Sequence, residues 1–156
     1  MIAGFTGHRY LNGKLPTLTQ MERLEDMIVA ILKRDRPDQV ISGMAIGFDT
    51  AVARAAIKIE VPLIAAVPFQ GQHIKWPSHV QLEYHGMLEK ATKVVVVSEG
   101  FYSARKLQIR NEWIVDNSDI LYALWDGGNS GTGNCVRYAD GKVKIINLWQ
   151  CWNKYN

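Results

Sequence analysis

Two glycine-rich stretches carry the residue types that can hold a phosphate group. Residues 126–134 read Asp-Gly-Gly-Asn-Ser-Gly-Thr-Gly-Asn, residues 42–49 read Ser-Gly-Met-Ala-Ile-Gly-Phe-Asp, and each stretch follows a β-type run. Glycine lets the backbone turn tightly and approach a ligand closely. The N–H groups at the start of a following helix have no partner inside it, which favours anions. Either stretch alone could also be a tight turn that only reverses the chain.

Charged side chains accompany these turns. His8 and Arg9 directly follow the first apolar run, and Arg110 lies in a helical stretch. The guanidinium fork of an arginine suits a phosphate, although a surface ion pair is the commoner fate of that residue type. His8 could act as a general acid or as an ordinary hydrogen-bonding loop residue. Asp49 lies in the first turn of a predicted helix, where the helix dipole favours a carboxylate; a ribose contact or a catalytic acid is the functional alternative.

The elements that must position these residues alternate between strands and helices. Strands are predicted at residues 2–6, 39–42, 63–67, 93–97, 120–124 and 144–148, and helices at about 17–34, 48–59, 77–90 and 104–116, with a short helix after the second glycine stretch. This alternation predicts a Rossmann-like three-layer α/β/α fold with a mostly parallel sheet of about six strands. Pro77 is expected at the first position of its helix. The valine run at 93–97 is apolar on both faces and predicts a central strand.

The predicted topology brings the chemistry to one place. Right-handed crossovers put the strand-to-helix loops on one edge of the sheet, where open α/β folds bind ligands. Two glycine turns on the same edge favour a phosphate or nucleotide site over two unrelated turns. The loop after the third strand adds Phe69 and Trp76 to this edge. Trp76 could stack on a base or pack at the start of a helix.

Composition bounds the remaining classes. The 156 residues suffice for one domain spanning 1–156, with 47% hydrophobic and 21% charged residues. A net charge of +3 fits an anionic ligand and argues against nucleic acid as a partner. The sequence predicts no membrane span, since no apolar run approaches the ~20 residues that one needs. Without an export signal, Cys135 and Cys151 are expected as free thiols in the cytoplasm, and no metal or cofactor is predicted because they form no ligand spacing.

Standard nucleotide-binding motifs do not fit this sequence. A P-loop needs Gly-x-x-x-x-Gly-Lys-Ser/Thr, and neither glycine turn is followed by that lysine. The dinucleotide fingerprint Gly-x-Gly-x-x-Gly is not met after the first strand, where Gly4 and Gly7 stand alone. The sequence therefore does not predict a kinase, an ATPase or an NAD-dependent dehydrogenase.

Four motifs in order resemble one family over nearly the whole chain. They are Thr6-Gly7-His8-Arg9, residues 42–49 followed by Ala51, Arg110-Asn111-Glu112 leading into Ser118-Asp119, and Gly128-Asn129-Ser130-Gly131-Thr132 with the later Ala139. Together they resemble the SLOG superfamily and, within it, the YpsA-like branch found in Firmicutes and their phages. The superfamily includes the DNA-processing protein DprA and the LOG phosphoribohydrolases, which release cytokinin bases. The resemblance implies a nucleotide-type pocket at the carboxyl edge and a homodimer.

Site residues and an interface follow from these readings. Catalytic roles are assigned to Arg110, Asp49 and Glu112. The aromatic residues Trp149, Trp152 and Tyr155 either cover the last strand or form a dimer contact. The predicted ligand-binding residues are Gly7, His8, Arg9, Ser42, Gly43, Ala45, Gly47, Asp49, Phe69, Trp76, Arg110, Asn111, Gly128, Ser130, Gly131 and Thr132.

One departure from the family pattern bears on whether the protein is an enzyme or a binding protein. LOG hydrolases carry Pro-Gly-Gly-x-Gly-Thr-x-x-Glu, and alignment on Gly131-Thr132 puts Cys135 where the catalytic glutamate stands. Cleavage of a glycosidic bond needs a carboxylate near the developing charge, which Asp49, Glu112 or Asp126 would have to supply. Cys135 is expected to be a small buried thiol rather than a nucleophile. The first prediction is therefore a nucleotide-binding sensor or sequestering protein, and the alternative is a LOG-like hydrolase or transferase. Single-stranded DNA binding comes third, because the charge is modest.

Overall fold

Strands and helices alternate along residues 1–155, which the computed structural model describes. Six of each occur in this part of the chain: β1 (Ile2–Gly7), α1 (Leu18–Asp35), β2 (Gln39–Ser42), α2 (Phe48–Lys58), β3 (Leu63–Val67), α3 (Ser78–Lys90), β4 (Lys93–Val96), α4 (Ala104–Asp116), β5 (Ile120–Leu124), α5 (Gly131–Ala139), β6 (Lys144–Asn147) and α6 (Trp149–Tyr155).

The strands form one parallel sheet in the order β4-β3-β2-β1-β5-β6. Helices α1, α2, α3 and α6 pack beside one another on one face, and α4 and α5 pack together on the other. The predicted three-layer Rossmann-like fold is confirmed. The strand order reverses between β1 and β5, and this is the point at which open α/β sheets form a ligand crevice.

Local sequence signals explain where the helices begin. Thr17 caps α1 in a capping box, since its hydroxyl accepts from the Gln20 N–H and the Gln20 side chain accepts from the Thr17 N–H. Ser103 caps α4 in the same manner through the Lys106 N–H. The expectation for Pro77 is wrong by one residue: α3 begins at Ser78, because Pro77 keeps an extended ψ of 148°.

The valine run of β4 is a strand, but the prediction that it is central is wrong. It lies at one end of the sheet beside β3, and Val94 and Val96 are 45% and 50% exposed. An apolar run predicts burial on both faces only if neighbouring strands and helices cover it, and sequence alone does not say which strand ends the sheet.

The aromatic C-terminus forms α6 and mainly covers the core. Trp152 is 1% exposed and packs in the cluster that α1 and α2 share, so it does not serve as a dimer contact. Trp149 is half-buried, and the prediction for the Tyr155 side chain lies outside the described part. Among the described helices, none is both long and apolar enough to cross a bilayer.

Candidate functional site

A cleft of about 360 Å³ opens at the carboxyl ends of the central strands. We call it the central cleft. It lies where the strand order reverses, and the loops after β1, β2 and β5 meet there with one face of α4. Its lining residues are Thr6, Gly7, His8, Arg9, Tyr10, Ala45, Asp49, Leu107, Arg110, Asn111, Ser130, Gly131 and Thr132.

The first glycine turn, residues 42–49, is locked by its own hydrogen bonds. The Ser42 hydroxyl donates to the Asp49 carbonyl at 2.9 Å and accepts from the Met44 N–H at 3.1 Å. The Ala45 N–H donates to Asp49 Oδ2 at 3.3 Å. Met44 is held at φ 60°, a left-handed conformation that is uncommon for a side chain of this size. These bonds fix the turn as a rigid floor and leave the Ser42 hydroxyl turned away from the cleft.

Arg110 ties α4 to this floor. Its side chain is only 4% exposed, which excludes the surface ion pair that is common for arginine. Nη1 donates to the Gly43 carbonyl at 2.5 Å, and Nε donates to Asn111 Oδ1 at 3.0 Å. A Cβ atom on Gly43 would lie 2.8 Å from both Arg110 Nη1 and Asp49 Oδ2. Glycine is needed here because the Arg110 guanidinium and the Asp49 carboxylate leave no room for a side chain.

Asp49 and Arg110 each affect the pKa of the other. Burial raises the pKa of Asp49, and the charge of Arg110 opposes that rise. Burial likewise lowers the pKa of Arg110, and Asp49 opposes that fall. Asp49 is 8% exposed and lines the cleft, so it is a carboxyl group that takes up a proton more readily than an ordinary aspartate.

The second glycine turn, residues 126–133, leads into a helix start whose backbone N–H groups can donate to a ligand. The Ser130 hydroxyl caps α5 by accepting from the Gly133 N–H at 3.0 Å. The N–H groups of Gly131 and Thr132 belong to the first turn of that helix, where the helix itself supplies no acceptor. Both residues line the central cleft. An anion in the cleft would meet these donors and the positive end of the helix dipole.

His8 links the β1 loop to the second glycine turn. Its Nε2 atom accepts from the Asp126 N–H at 3.0 Å. The same Nε2 atom lies 3.3 Å from Asp126 Oδ1. In this geometry His8 braces the cleft wall through the backbone of Asp126.

An apolar cleft of about 380 Å³ adjoins the central cleft. Arg9 and Leu107 line both. We call it the aromatic cleft, because Phe69, Trp76, Phe101 and Tyr102 line it. Trp76 packs edge-to-face against Tyr84, with ring centroids 5.2 Å apart, so part of its surface serves the core and part faces the cleft.

The structure brings together most residues that the sequence predicted for a site. Gly7, His8, Arg9, Ala45, Asp49, Arg110, Asn111, Ser130, Gly131 and Thr132 line the central cleft, and Phe69 and Trp76 line the aromatic cleft. Ser42, Gly43, Gly47 and Gly128 are not among the lining residues of either cleft, and they shape the turns. Tyr10 and Leu107 were missed; Tyr10 directly follows a predicted motif, and Leu107 precedes Arg110 by one helical turn. The functional roles of all these residues stay predictions.

Two residues considered for catalysis lie away from the cleft chemistry. Glu112 is not among the lining residues, and its carboxylate accepts from Gln108 Nε2 at 3.1 Å on the same helix. Cys135 is fully buried, as expected, and its Sγ lies 3.9 Å from the Asn111 carbonyl. Burial raises the pKa of the Cys135 thiol to about 11. At neutral pH this thiol is protonated and shielded, so it is a poor nucleophile.

A family model described as the YspA SLOG family matches residues 14–144. The uncharacterized SPbeta prophage-derived protein YoqJ of Bacillus subtilis is 28% identical over 160 residues, covering 92% of this chain and 94% of that protein. The UPF0398 protein BH1768 of Halalkalibacterium halodurans is 28% identical over 114 residues, covering 69% of this chain and 60% of that protein.

Solved structures share the fold at low sequence identity. The structural-genomics target TM1055 has a TM-score of 0.64 at 15% identity, covering 96% of this chain and 75% of that chain. The molybdenum cofactor binding protein of Rippkaea orientalis has a TM-score of 0.59 at 17% identity, covering 98% and 80%. DNA processing protein A of Helicobacter pylori, which binds single-stranded DNA, has a TM-score of 0.64 at 14% identity, covering 99% and 79%. At these identities the likeness concerns the fold alone.

Proposed function

Because this chain belongs to the YspA SLOG family, we propose that it is a single-domain protein that binds a nucleotide or nucleotide-derived ligand in the central cleft. The observation that carries this proposal is the convergence of Arg9, Arg110 and the start of α5 on one cleft. A sensor or sequestering protein of bacterial or phage origin fits such a site. The prophage-derived relative supports that origin, and the two free cysteines fit a cytoplasmic location.

The phosphate group would lie against the second glycine turn. The N–H groups of Gly131 and Thr132 supply donors there, and the helix dipole of α5 favours the negative charge. Arg9 would neutralise the phosphate from the opposite loop. Arg110 is held by Gly43 and Asn111, so its contribution would be a fixed positive potential below the ligand rather than a mobile contact.

The base would lie in the aromatic cleft. Phe69, Trp76 and Tyr102 line it, and Arg9 and Leu107 connect it to the central cleft. Phe101 and Tyr102 are 83% and 68% exposed, which gives them apolar surface that a planar base could cover. Stacking on aromatic side chains suits every base, so this cleft would supply affinity with little choice among bases.

Binding assays with matched ligands test this proposal. By calorimetry, we expect AMP, GMP, CMP or UMP to bind at least about tenfold more tightly than the corresponding nucleoside, because charged hydrogen bonds to phosphate are strong. Arg9→Ala should remove that advantage, whereas Arg34→Ala, at the far end of α1, should leave it unchanged. Equal affinity for nucleoside and nucleotide, or no binding of any of them, would contradict the proposal.

A second candidate function, hydrolysis of an N-glycosidic bond, rests on Asp49. This buried carboxyl group faces the cleft with a raised pKa, as a general acid requires. In that case a nucleoside monophosphate would release its free base, detected by chromatography, and Asp49→Asn would stop the release without abolishing binding. Stable complexes that release no base would favour the sensor over the hydrolase.

We also propose that the protein is a homodimer, paired through β4 instead of the aromatic C-terminus. The outer edge of β4 has no neighbouring strand within residues 1–155, and its exposed valines favour pairing with another chain. A two-fold axis at Val96 would run β4 antiparallel to its copy. Lys93 would then lie opposite Glu99, in the loop that follows β4, as a complementary charge pair. Light scattering should find a dimer that Val94→Lys with Val96→Lys converts to a monomer. Leu18→Lys, at an exposed apolar residue on α1, is the control, and a wild-type monomer would refute the pairing.

A further inference from the structure

A second aromatic cleft lies on the other side of the central cleft, and the proposed function leaves it unused. It encloses about 380 Å³ beyond the carboxyl ends of β5 and β6. We call it the tryptophan cleft. Its lining residues are Trp125, Asp126, Gly127, Asn147, Trp149 and Gln150.

One amide side chain holds the backbones of both tryptophans of this cleft. Asn147 Nδ2 donates to the Trp125 carbonyl at 3.0 Å, and Asn147 Oδ1 accepts from the Trp149 N–H at 3.0 Å. The Trp125 indole N–H donates to the Gly128 carbonyl at 2.8 Å. Both indoles are half-buried. The cleft is therefore preformed, and a planar group entering it would meet aromatic surface without first ordering the walls.

His8 is the wall that separates the tryptophan cleft from the central cleft. It lines the central cleft and contacts the Trp149 ring edge-on, with centroids 5.8 Å apart. Its hydrogen bond to the Asp126 N–H holds the loop between the two clefts. A ligand in the central cleft is thus one side chain away from the tryptophan cleft.

The sheet sets the three clefts in a row. The aromatic cleft lies beyond β3 and β4, the central cleft beyond β2, β1 and β5, and the tryptophan cleft beyond β5 and β6. Four strand intervals of about 4.8 Å separate the outer two, which is roughly 19 Å. The row straddles the point where the strand order reverses, as a ligand with two halves would require. A mononucleotide with its phosphate in the central cleft could reach only one outer cleft.

The chemistry of the tryptophan cleft suits a base with its ribose. Two indoles offer stacking surface. Asp126 is half-exposed, with one oxygen accepting from the Gly128 N–H, so its carboxylate can also accept hydrogen bonds from ribose hydroxyls. The same negative charge would repel phosphate, which keeps the phosphates in the central cleft beside Arg9 and the start of α5.

From this arrangement we infer that the ligand is of the dinucleotide class, with two ribose-linked bases joined by a phosphate bridge. The bridge would lie in the central cleft, one base in the aromatic cleft and the other in the tryptophan cleft. This inference rests on the proposed function for the phosphate and the first base, and it adds the second half of the molecule.

Two probes that differ only in the second base provide the test. Diadenosine diphosphate and ADP-ribose share the pyrophosphate bridge, both riboses and the first adenine. By calorimetry on the full chain, we expect diadenosine diphosphate to bind at least about tenfold more tightly, the gain expected from stacking one more base. Tryptophan fluorescence should be quenched more by diadenosine diphosphate than by ADP-ribose. The guanine analogues, used in parallel, cover a preference for the other purine.

Two variants test whether the higher affinity for diadenosine diphosphate arises in the tryptophan cleft. Trp149→Leu should reduce the affinity for diadenosine diphosphate to that for ADP-ribose and leave AMP binding unchanged. Asp126→Asn, at a half-exposed position, should weaken both pyrophosphate probes by a severalfold larger factor than it weakens AMP. It keeps the inference testable if Trp149→Leu fails to fold.

The outcomes separate the two proposals. If AMP binds but the two pyrophosphate probes bind equally, the dinucleotide inference is overturned and the proposed function stands. The same follows if their difference survives Trp149→Leu, or if Asp126→Asn weakens neither probe relative to AMP. If no nucleotide binds, both are overturned.

Discussion

The two glycine turns are similar in composition and are built in opposite ways. The first, residues 42–49, is largely buried, and its polar groups bond to one another and to Arg110. The second is exposed from Asp126 to Asn129, and the helix start that follows faces the cleft. A Cβ atom on Gly43 would collide with Arg110 and Asp49, whereas one on Gly131 would meet nothing within 4 Å. A glycine-rich turn can thus be buried, with its polar groups bonded to one another, or exposed, with backbone N–H groups free to bind a ligand. Amino-acid composition alone does not distinguish the two.

The largest effect should come from removing the cation that locks the first turn. Arg110→Met should lower the free energy of unfolding by about 3 kcal/mol, because it leaves the buried Asp49 carboxylate without its compensating charge. Urea denaturation at neutral pH measures the loss. If the variant is as stable as the wild type, Arg110 does not stabilise the first glycine turn, and the two turns do not differ in this respect.

The pH dependence of that loss identifies its cause. Burial raises the pKa of Asp49 while Arg110 opposes the rise, so the pKa should rise further in Arg110→Met. Between the ordinary carboxyl pKa and the raised one, the folded protein binds more protons than the unfolded chain, and stability therefore falls as pH rises. The deficit of the variant should shrink as the pH is lowered toward about 4, and Asp49→Asn in the same chain should abolish this trend. A deficit independent of pH would point to lost packing instead.

The paired glycines give the next effect. Gly43→Ala should cost about 2 kcal/mol, since the new methyl group must displace Arg110 or Asp49 from a closed space. Gly131→Ala should change stability by less than about 0.5 kcal/mol, because its Cβ would point into open space. Thermal and urea denaturation of the two variants, side by side, measure the contrast. Losses of equal size would mean that the two turns are packed alike.

The paired serines test the same contrast with hydrogen bonds. Ser42→Ala leaves the buried Met44 N–H without its acceptor and the Asp49 carbonyl without one donor, which should cost about 2 kcal/mol. Ser130→Ala removes a helix cap at a more accessible site, which should cost about 1 kcal/mol. Urea denaturation distinguishes the two values. A reversed order would show that the second turn is the more constrained one.

The sequence predicted the fold better than it predicted the roles of the turn residues. The alternation of strands and helices gave the three layers, and handedness alone brought Arg9, Asp49 and Gly131 to one edge. It did not predict that Ser42 turns inward, because that depends on the backbone path that brings its hydroxyl to the Asp49 carbonyl. The position of β4 at the end of the sheet depends on strand order, which an apolar run does not encode.

Aromatic residues illustrate the same limit. Trp152 and Trp149 are three residues apart and equally apolar, yet one is buried in the core and the other lines a cleft. The two residues share one face of α6, and the difference comes from their positions along it. Trp152 packs in the core cluster, whereas Trp149 begins the helix beside His8 and the tryptophan cleft. Leu107 was missed as a site residue although it precedes Arg110 by one helical turn, a spacing that places two side chains on one face of a helix.

The smallest effect concerns amide exchange with and without ligand. In the free protein, the N–H groups of Met44 and Ala45 are bonded within the first turn, so they should exchange slowly. Those of Gly131 and Thr132 should exchange fast, since the start of a helix gives them no acceptor. At an AMP concentration about ten times its dissociation constant, exchange at Gly131 and Thr132 should slow by about tenfold.

The control for this measurement lies in the core. Amides that exchange only through global unfolding all slow by one common factor on binding, and Leu121 in β5 reports that factor. Gly131 and Thr132 should be distinguished by their change from fast local exchange to protection, whereas Met44 and Ala45 should follow Leu121. If instead the first turn changes from fast exchange to protection while Gly131 and Thr132 do not, then the turn built as a floor is the one that binds. In that case the first turn would bind the ligand, and the second would be the structural one.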